Sequence, residues 1–321
     1  MKKNILIIGS NFSRTYHLKI IKKIYKETKI YICSPNINKK KINKEIIKCE
    51  DYQLLIKKKK FFLILCCATS EVQTCFIKFL LLEKIKPRNI ILEKPVSNNL
   101  LELEKFFTYC EKNQINLSIN YTYANLKIIS KIKEIFIKNK SQSFLEFNLK
   151  FKHPFYLKKN NSWKNFISMG GGIINYYVNH ILYSCILIFG KIKIKSLKII
   201  HNKNQELKEF ILNLYGNKIS IRINININSN EYEHKYNFFT NKKKFTFLTR
   251  KKNWYDKYEV YINDSFKKEY TENILQLIKK NYSYLNKKIS KKKEYLNKIL
   301  MNEKLCINLN KRLIKYDFKK M

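Results

Sequence analysis

Near its amino end the sequence reads Ile5-Leu-Ile-Ile-Gly-Ser-Asn-Phe-Ser-Arg-Thr-Tyr-His17, and this stretch decides the fold. A short apolar run ends at Gly9 and is followed by a segment with helical spacing. A strand that runs into glycine and then into a helix is where a dinucleotide pyrophosphate rests on helix amides. The full pattern has three glycines, whereas Asn11 and Arg14 occupy the second and third glycine positions here. The stretch therefore predicts a Rossmann-type fold and leaves open whether a cofactor still binds.

The first third of the chain alternates apolar runs with amphipathic segments. Helical patterns such as His17–Lys26 and Val72–Lys84 separate the runs. The runs have the length of buried strands, and they cover Asn4–Ile8, Lys29–Cys33, Phe61–Cys67, Asn89–Leu92 and Asn116–Asn120. This alternation predicts an α/β fold with a doubly wound parallel sheet in a domain over residues 1–122. Any ligand should lie at the carboxyl ends of its strands.

The remainder, residues 123–321, is predicted to form a second, α+β domain with a mostly antiparallel open sheet. One long helical pattern, Ile173–Phe189, interrupts its β-rich segments. Those segments are Phe144–Phe151, Ile192–Ile200, Glu209–Tyr215, Lys218–Asn226, His234–Phe239, Phe245–Arg250 and Tyr258–Ile262. The tail, Glu272–Leu313, returns to helical spacing, and we expect the last helix to pack back on the first domain.

The formal net charge of +42 raises the question of a nucleic-acid or membrane partner. Lysines are scattered from Lys2 to Lys320, however, and no single basic arm stands out. Lys, Asn and Ile are enriched together, which is typical of an AT-rich genome. We therefore expect no specific nucleic-acid partner. A gel shift at physiological salt is the check on this alternative.

The eight cysteines show no C-x-x-C pair and no metal-ligand spacing. Several lie in apolar runs such as Phe61-Phe-Leu-Ile-Leu-Cys-Cys-Ala68, where a free thiol packs like a small hydrophobe. We expect reduced thiols, no metal and a cytoplasmic location. No apolar stretch of about 18 residues runs without a charged or polar residue, so we also expect no membrane partner.

Two strand ends in the first domain carry candidate cofactor contacts. The second strand ends at Ser34 without the acidic residue that binds ribose hydroxyls in NAD enzymes, and lysines follow at 39–41, which favours NADP slightly over NAD. The segment Asn89-Ile-Ile-Leu-Glu-Lys-Pro-Val96 ends an apolar strand in Glu93-Lys94-Pro95. It places a cation where a nicotinamide ring would lie, although a lone lysine in so basic a chain carries little weight by itself.

A third candidate region is Ser168-Met-Gly-Gly-Gly-Ile-Ile-Asn-Tyr-Tyr-Val-Asn-His180, which holds three of the six glycines. Glycines at the mouth of a helix allow positive φ or close backbone approach. Tyr176 and His180 share one face of the helix, and Asn175 and Asn179 share the neighbouring face. This polar stripe beside a glycine-rich mouth indicates a ligand site rather than a helix packed for stability alone.

Together these motifs resemble the Gfo/Idh/MocA oxidoreductases, the family of glucose-fructose oxidoreductase and inositol dehydrogenase. The resemblance covers nearly the whole chain and rests on Gly9, Ala68-Thr-Ser, Glu93-Lys94-Pro95, Ser162-Trp-Lys164, and Gly170-Gly-Gly172 with His180 eight residues further on. It implies a Rossmann domain for NAD(P) and a C-terminal α/β domain. It also implies a homodimer or homotetramer formed through the open sheet.

The resemblance assigns roles to individual residues. The lysine matching Lys94 contacts the nicotinamide ribose and the substrate, and the histidine matching His180 is the general acid/base of hydride transfer. Cofactor contacts are expected at Gly9, Asn11, Phe12, Ser34, Thr69, Glu93 and Lys94. Substrate contacts are expected at Tyr121, Trp163, Tyr176 and Asn179, with a sugar, a cyclitol or a similar small molecule as the substrate.

Several positions depart from the family pattern. Tyr176 stands where many members carry an Asp four residues before the histidine, and Thr74 stands where they carry a His. With Asn11 and Arg14 in the glycine turn, two hypotheses remain open. The protein is either an oxidoreductase with an unusual substrate or a fold-retaining binding protein that has lost its cofactor.

Overall fold

The computed structural model describes residues 3–9, 13–35, 37, 46–97, 99–139, 141–152, 171–201, 207–251, 256–286 and 289–318. The chain divides into two compact units. The first comprises Met1–Thr122, Phe166–Asn179 and Ile278–Met321, and the second comprises Tyr123–Asn165 and His180–Leu277. This division differs from the predicted domain over 123–321 because 166–179 and 278–321 group with the first unit.

A six-stranded parallel sheet forms the core of the first unit. Its strands are β1 (Lys3–Ile8), β2 (Thr28–Cys33), β3 (Ile46–Cys49), β4 (Leu63–Cys66), β5 (Asn89–Leu92) and β6 (Asn116–Ile119). They lie in the order β3-β2-β1-β4-β5-β6, and every adjacent pair is parallel. This is the strand order of the doubly wound dinucleotide-binding fold. The predicted α/β class with a parallel Rossmann sheet is confirmed.

The apolar runs form strands because both faces of this sheet are covered. Ile5, Leu6 and Ile7 have no exposed surface, and all four residues of β4 and of β5 are buried. Strand β3 was not predicted from the sequence. This strand has four residues, two of them exposed, and it lies at the edge of the sheet, so its apolar signal is weak.

Four helices follow strands of this sheet: α1 (Leu18–Ile24), α2 (Tyr52–Lys58), α3 (Ser70–Leu82) and α4 (Leu100–Lys112). Asp51 caps α2 by accepting hydrogen bonds from the backbone N–H groups of Gln53 and Leu54. A five-residue π-helical turn, Ser13–His17, leads into α1. The helices predicted at His17–Lys26 and Val72–Lys84 are confirmed with shifted ends.

An eight-stranded sheet forms the core of the second unit. Its strands are β7 (Ser143–Lys152), β8 (Ile192–His201), β9 (Leu207–Gly216), β10 (Ile219–Asn226), β11 (Asn228–Phe239), β12 (Lys244–Thr249), β13 (Lys257–Ile262) and β14 (Ser265–Thr271). They lie in the order β14-β13-β12-β11-β7-β10-β9-β8. The β7–β10 pair is parallel and the other pairs are antiparallel, which confirms the predicted second sheet.

Strand β14 was not predicted, because this edge strand is almost entirely exposed and carries lysines and glutamate instead of an alternating apolar pattern. Charged edge strands protect a sheet from pairing with other chains. The turn before β14 carries a signal that could have found it. Asn263 and Asp264 both have positive φ, which a tight hairpin turn requires.

The remaining helices are α5 (Lys127–Lys138), α6 (Asn179–Phe189), α7 (Ile274–Ser283) and α8 (Ile289–Phe318). A second π-helical turn, Ile174–Val178, comes directly before α6, so the helix predicted over Ile173–Phe189 is confirmed with an irregular first turn. The helical tail is confirmed as α7 and α8. Within the first unit α8 packs against α4. None of the helices in the described part of the chain has the length and apolar character needed to cross a membrane.

Candidate active site

The turn after β1 requires glycine at position 9. Gly9 has φ +96°, and a Cβ atom there would lie 2.4 Å from the carbonyl oxygen of Cys67. The Gly9 N–H donates to the carbonyl of Cys33 at 2.8 Å, and its own carbonyl accepts from the Ser13 hydroxyl at 2.6 Å. A close, side-chain-free turn at this strand end is what a pyrophosphate needs in order to approach the backbone.

Ser34 and Thr69 follow β2 and β4 at the same edge of the sheet, which we call the carboxyl edge. Ser34 is buried, and its hydroxyl donates to the carbonyl of Pro35 at 3.3 Å. Thr69 is half-buried and immediately precedes α3. Because the carboxyl ends of parallel strands share one edge, the fold brings together the described members of the predicted cofactor set. These are Gly9, Ser34, Thr69, Glu93 and Lys94.

The other predicted residues of this region cannot be placed. Asn11 and Phe12, and the lysines at 39–41, lie outside the described residues. So does Trp163, which was expected to contact the substrate. The contacts of all the predicted cofactor residues with a dinucleotide stay predictions.

Glu93 lies at the centre of a hydrogen-bond cluster after β5. Its Oε1 accepts a hydrogen bond from Asn120 Nδ2 at 2.6 Å and lies 3.1 Å from His17 Nε2. The Cys67 thiol donates to the same oxygen at 3.9 Å. His17 has no exposed surface, and its Nδ1 lies 2.8 Å from the Tyr282 hydroxyl. The cluster therefore fixes the Glu93 carboxylate at the carboxyl edge.

Three of these side chains carry atoms of the kinds that ligate metals. Those atoms, in His17, Cys67 and Glu93, lie within 4.8 Å of one another. Each ring nitrogen of His17 already has a hydrogen-bonding neighbour, and Glu93 Oε1 is shared by three donors. Hydrogen bonding therefore accounts for the arrangement without an ion.

A buried glutamine holds the Glu93-Lys94-Pro95 segment from both sides. Gln73 has no exposed surface; its Oε1 accepts from the Glu93 N–H at 2.9 Å, and its Nε2 donates to the Pro95 carbonyl at 3.0 Å. The peptide bond between Lys94 and Pro95 is cis. Gln73 was not predicted from the sequence. The signal that could have found it is its place in the first turn of α3, three residues after Ser70.

Lys94 extends from the end of β5 to the π-helical turn before α6. Its ammonium donates to the carbonyl oxygens of Asn175 at 3.2 Å and Tyr176 at 2.9 Å, and it lies 4.8 Å from the centroid of the Tyr176 ring. A π turn displaces carbonyls from the regular helical pattern, so they can accept from other donors, and such turns are frequent at functional sites. Gly172, with φ +83°, lies two residues before this turn. The structure thus brings together Lys94 and Tyr176, two of the predicted site residues.

His180 belongs to the second unit and lies at the start of α6. It is 9% exposed, and its ring stacks on Tyr123 with centroids 4.9 Å apart and an interplanar angle of 25°. Stacking fixes the plane of an imidazole. The catalytic roles of His180 and Lys94, and their action on one substrate, stay predictions.

Tyr121 and Asn179, both expected to contact the substrate, belong to a buried network in the first unit. The Tyr121 hydroxyl donates to Glu303 Oε1 at 2.5 Å and accepts from Asn302 Nδ2 at 3.2 Å. The same Asn302 amide donates to Asn179 Oδ1 at 2.7 Å. Asn179 and Asn302 have no exposed surface, and Tyr121 and Glu303 are 1% exposed. Both predicted substrate residues therefore have partners inside the protein, and their contact with a substrate stays a prediction.

Glu303, from α8, is the acidic member of this network. Burial raises the pKa of its carboxyl to about 7. The Tyr121 and Asn179 side chains oppose this rise in pKa. The backbone N–H of Val96 and the Lys94 ammonium also lower the pKa of this carboxyl. The site therefore contains a carboxyl group that changes its charge near neutral pH.

Glu303 was not predicted as a site residue, although the sequence of α8 carries a signal. Its buried face repeats every three or four residues and includes Leu296, Ile299, Asn302, Glu303, Cys306, Leu309, Asn310 and Leu313. Polar residues on such a buried face destabilise the fold unless they are hydrogen-bonded. A glutamate and two asparagines in this pattern indicate a buried polar partner elsewhere in the chain.

The strand order and the glycine turn define a Rossmann-type fold, the class of fold that binds dinucleotides. Residues 3–121 match the model of an oxidoreductase family with an NAD-binding Rossmann fold. Over this segment the chain is similar to the Gfo/Idh/MocA oxidoreductases, and the resemblance predicted from the motifs is confirmed there. Among curated proteins, none matches the chain.

Solved structures of similar fold cover nearly the whole chain. A 3-ketoreductase from Actinomadura kijaniata, in complex with NADP and TDP-benzene, has a TM-score of 0.76 at 12% identity, over 95% of this chain and 96% of its own. An oxidoreductase from Thermotoga maritima has a TM-score of 0.73 at 15% identity, over 96% and 95%. A dehydrogenase from Clostridium difficile has a TM-score of 0.68 at 14% identity, over 100% of both chains. At these identities the likeness establishes the fold.

Proposed function

We propose that the protein is an NAD(P)-dependent oxidoreductase that transfers a hydride between the nicotinamide cofactor and a carbon bearing a hydroxyl or carbonyl group. The substrate is a sugar, a cyclitol or a similar small molecule. The family of residues 3–121 supports the reaction class. The single observation that carries the proposal is the Lys94 ammonium, held by two carbonyls of a π turn at the carboxyl edge of the sheet. Dinucleotides bind at this edge in sheets of this strand order.

The described residues fit a nicotinamide dinucleotide. When bound, this cofactor accepts or supplies the hydride. Gly9 presents a turn without a side chain, as the pyrophosphate needs, and Ser34 would contact the adenosine ribose. Thr69, Glu93 and Lys94 would hold the nicotinamide end. We propose NADP in preference to NAD, because β2 ends in Ser34 without an acid, and the 3-ketoreductase of similar fold was solved with NADP.

Lys94 and His180 are the proposed catalytic residues. An ammonium beside a substrate oxygen stabilises the negative charge that develops there and lowers the pKa of a bound hydroxyl. An imidazole accepts that proton when the substrate is oxidised and returns it when the substrate is reduced. Tyr123 holds the His180 ring plane, and the π turn holds the Lys94 ammonium.

The test combines cofactor titration with two variants. Wild-type protein should bind NADPH, measured by nicotinamide fluorescence, and should turn over one member of a panel of sugars, cyclitols and nucleotide sugars. His180→Ala should abolish turnover and leave NADPH affinity nearly intact, because the imidazole acts on the substrate proton. Lys94→Met should weaken both. Lys105→Met, at an exposed position on α4, is the matched control. Unchanged turnover in His180→Ala would remove the assigned role.

A second candidate function is a binding or scaffold protein that retains the fold without the cofactor. The observation that favours it is the pair Asn11 and Arg14 at two glycine positions of the phosphate turn. The same titration separates the two functions. An absence of NADPH and NADH binding at millimolar cofactor would favour the scaffold.

We also propose a homodimer or homotetramer and a cytoplasmic location. The second sheet supports the assembly, since alternate residues of β7 and β10 are buried on one face and more open on the other. Light scattering after gel filtration tests the assembly. The buried free thiols of Cys33, Cys110 and Cys185 support a reducing compartment.

A further inference from the structure

A carboxyl group from the end of the chain is buried among the residues that follow β5 and β6. Glu303 lies on α8 and is 1% exposed. Its Oε1 accepts a 2.5 Å hydrogen bond from Tyr121, two residues after β6. The backbone N–H of Val96, two residues after Lys94, also acts on this carboxyl. A buried carboxyl is costly, so its retention here calls for a role.

The polar groups around Glu303 hold it in one place. Asn302 Nδ2 links the Tyr121 oxygen to Asn179 Oδ1, and Asn310 Nδ2 donates to Asn175 Oδ1 at 2.9 Å. The last helix therefore contacts Asn175, which lies in the π turn whose carbonyls hold the Lys94 ammonium, and Asn179, which directly follows that turn. These hydrogen bonds tie the last helix to the segment that carries the Lys94 contacts.

Lys94 and Glu303 belong to one cluster, because α8 is hydrogen-bonded to the side chains of Asn175 and Asn179, and the Asn175 carbonyl accepts from Lys94. The Lys94 ammonium lowers the pKa of the Glu303 carboxyl and that of the Cys306 thiol, so all three groups lie within electrostatic reach. Burial, followed by the charge of Glu303, raises the pKa of Tyr121 and that of Cys306 well above their usual values. Among the described groups facing Glu303, Tyr121 and Cys306 are therefore neutral near pH 7. Lys94 supplies the opposing charge.

We propose that Glu303 is a positioning residue for Lys94. The last helix supplies this carboxylate, and its charge acts on the Lys94 ammonium. The inference rests on the proposed function, in which Lys94 acts on the substrate. When Glu303 is ionised, a negative charge faces the ammonium. When Glu303 is protonated, that charge is lost while the hydrogen-bonded frame persists. The protonation state of Glu303 thus adjusts Lys94 without contact with substrate.

The first experiment measures the coupling directly and needs no substrate. Glutamate side chains are labelled with carbon-13, and the Glu303 carboxyl signal is assigned by its absence in Glu303→Gln. The pH midpoint of the Glu303 titration should lie near neutral pH in wild type. In Lys94→Met this midpoint should move upward by roughly half a pH unit or more, since removing a nearby cation favours the protonated acid. Lys105→Met should leave the midpoint in place. An unshifted midpoint in a folded Lys94→Met protein overturns the inference.

The second experiment separates this inference from the proposed function. NADPH affinity of wild type should vary with pH between about 6 and 8 as Glu303 titrates, and this variation should disappear in Glu303→Gln. Thermal unfolding shows whether the variant is folded. Tyr121→Phe is the second variant, because loss of its hydroxyl should raise the Glu303 midpoint while Lys94 is kept. Failure of wild type to bind NADPH would remove the proposed function. Intact binding with an identical pH profile in Glu303→Gln would overturn the role of Glu303 alone.

Discussion

The buried carboxyl of Glu303 should make the stability of the protein fall as pH rises, and Glu303→Gln should remove that dependence. Burial raises the pKa of this carboxyl from 4.5 to about 7 in the folded state. The folded protein therefore keeps its proton over a range of pH in which the unfolded chain has lost it. The unfolded state is favoured progressively as pH rises from 4.5 to about 7, and the effect is complete above that range.

The magnitude follows from the size of the pKa difference. At about 1.4 kcal/mol per pKa unit, a rise of this size corresponds to roughly 3 kcal/mol of lost stability at pH 8 relative to pH 4. This free energy needs no reduction for solvent screening, because the Glu303 side chain is only 1% exposed. Typical domains have a stability of about 5–15 kcal/mol, so the effect is readily measured.

The assay is urea unfolding of wild type and Glu303→Gln at a series of pH values. The difference in unfolding free energy between the two proteins should shift by roughly 3 kcal/mol in favour of the variant from pH 4 to pH 8. Taking the difference cancels the titration of the other groups. Glu294→Gln, at an exposed site on the same helix, is the matched control and should track wild type. Parallel curves for wild type and Glu303→Gln would refute the reasoning.

Three further perturbations test other parts of the structure. Burial lowers the pKa of His234 to about 3, so this histidine stays neutral in the folded state, and stability should be lost as pH falls below 6.5. Wild type should lose about 2 kcal/mol of unfolding free energy through His234 between pH 7 and pH 5, and His234→Phe should remove this loss. Urea unfolding measures it, and the same dependence of stability on pH in the variant and in wild type would contradict the assignment. Gly9→Ala should cost roughly 2–4 kcal/mol, because its Cβ would meet the Cys67 carbonyl at 2.4 Å. Gly190→Ala is the control for the cost of positive φ alone, since no atom lies within 4 Å of its added Cβ, and equal melting temperatures for the two variants would count against the steric argument. Gln73→Met should cost roughly 2–4 kcal/mol by leaving the Glu93 N–H and the Pro95 carbonyl without their partner, with the exposed Gln53→Met as the control and denaturant unfolding as the measurement.

The fold of the first unit was predictable because its signals are local. Both faces of the sheet are covered, so β1, β4 and β5 appear as uninterrupted apolar runs, and Gly9 marks the turn where no Cβ fits. The edge strands lack this signal. β3 and β14 expose much of their surface, and their residues follow neither the apolar run nor the alternation that identifies buried strands.

The candidate site was predictable only in its local motifs. Glu93-Lys94-Pro95 and the glycines before α6 stand out in the sequence, and the structure joins them through the Lys94 hydrogen bonds. Glu303 could not be paired with Tyr121 in this way. Its partner lies 182 residues away, and spacing along one helix does not show which distant side chain it meets. Nor does any apolar pattern distinguish a π turn from a regular helical turn.

The two ends of the proposed cofactor site differ in a way that bears on the choice between oxidoreductase and scaffold. The phosphate turn carries Asn11 and Arg14 in place of two glycines, whereas the region around Lys94 has an elaborate polar frame. Gln73 brackets the lysine, Glu93 is fixed by three donors, and α8 contributes a buried acid and amides. Buried polar groups destabilise a fold unless each is matched, and packed hydrophobic residues would serve a scaffold as well or better. A buried polar frame around one ammonium therefore favours the proposed chemistry at Lys94 over the scaffold, and the NADPH titration decides between them.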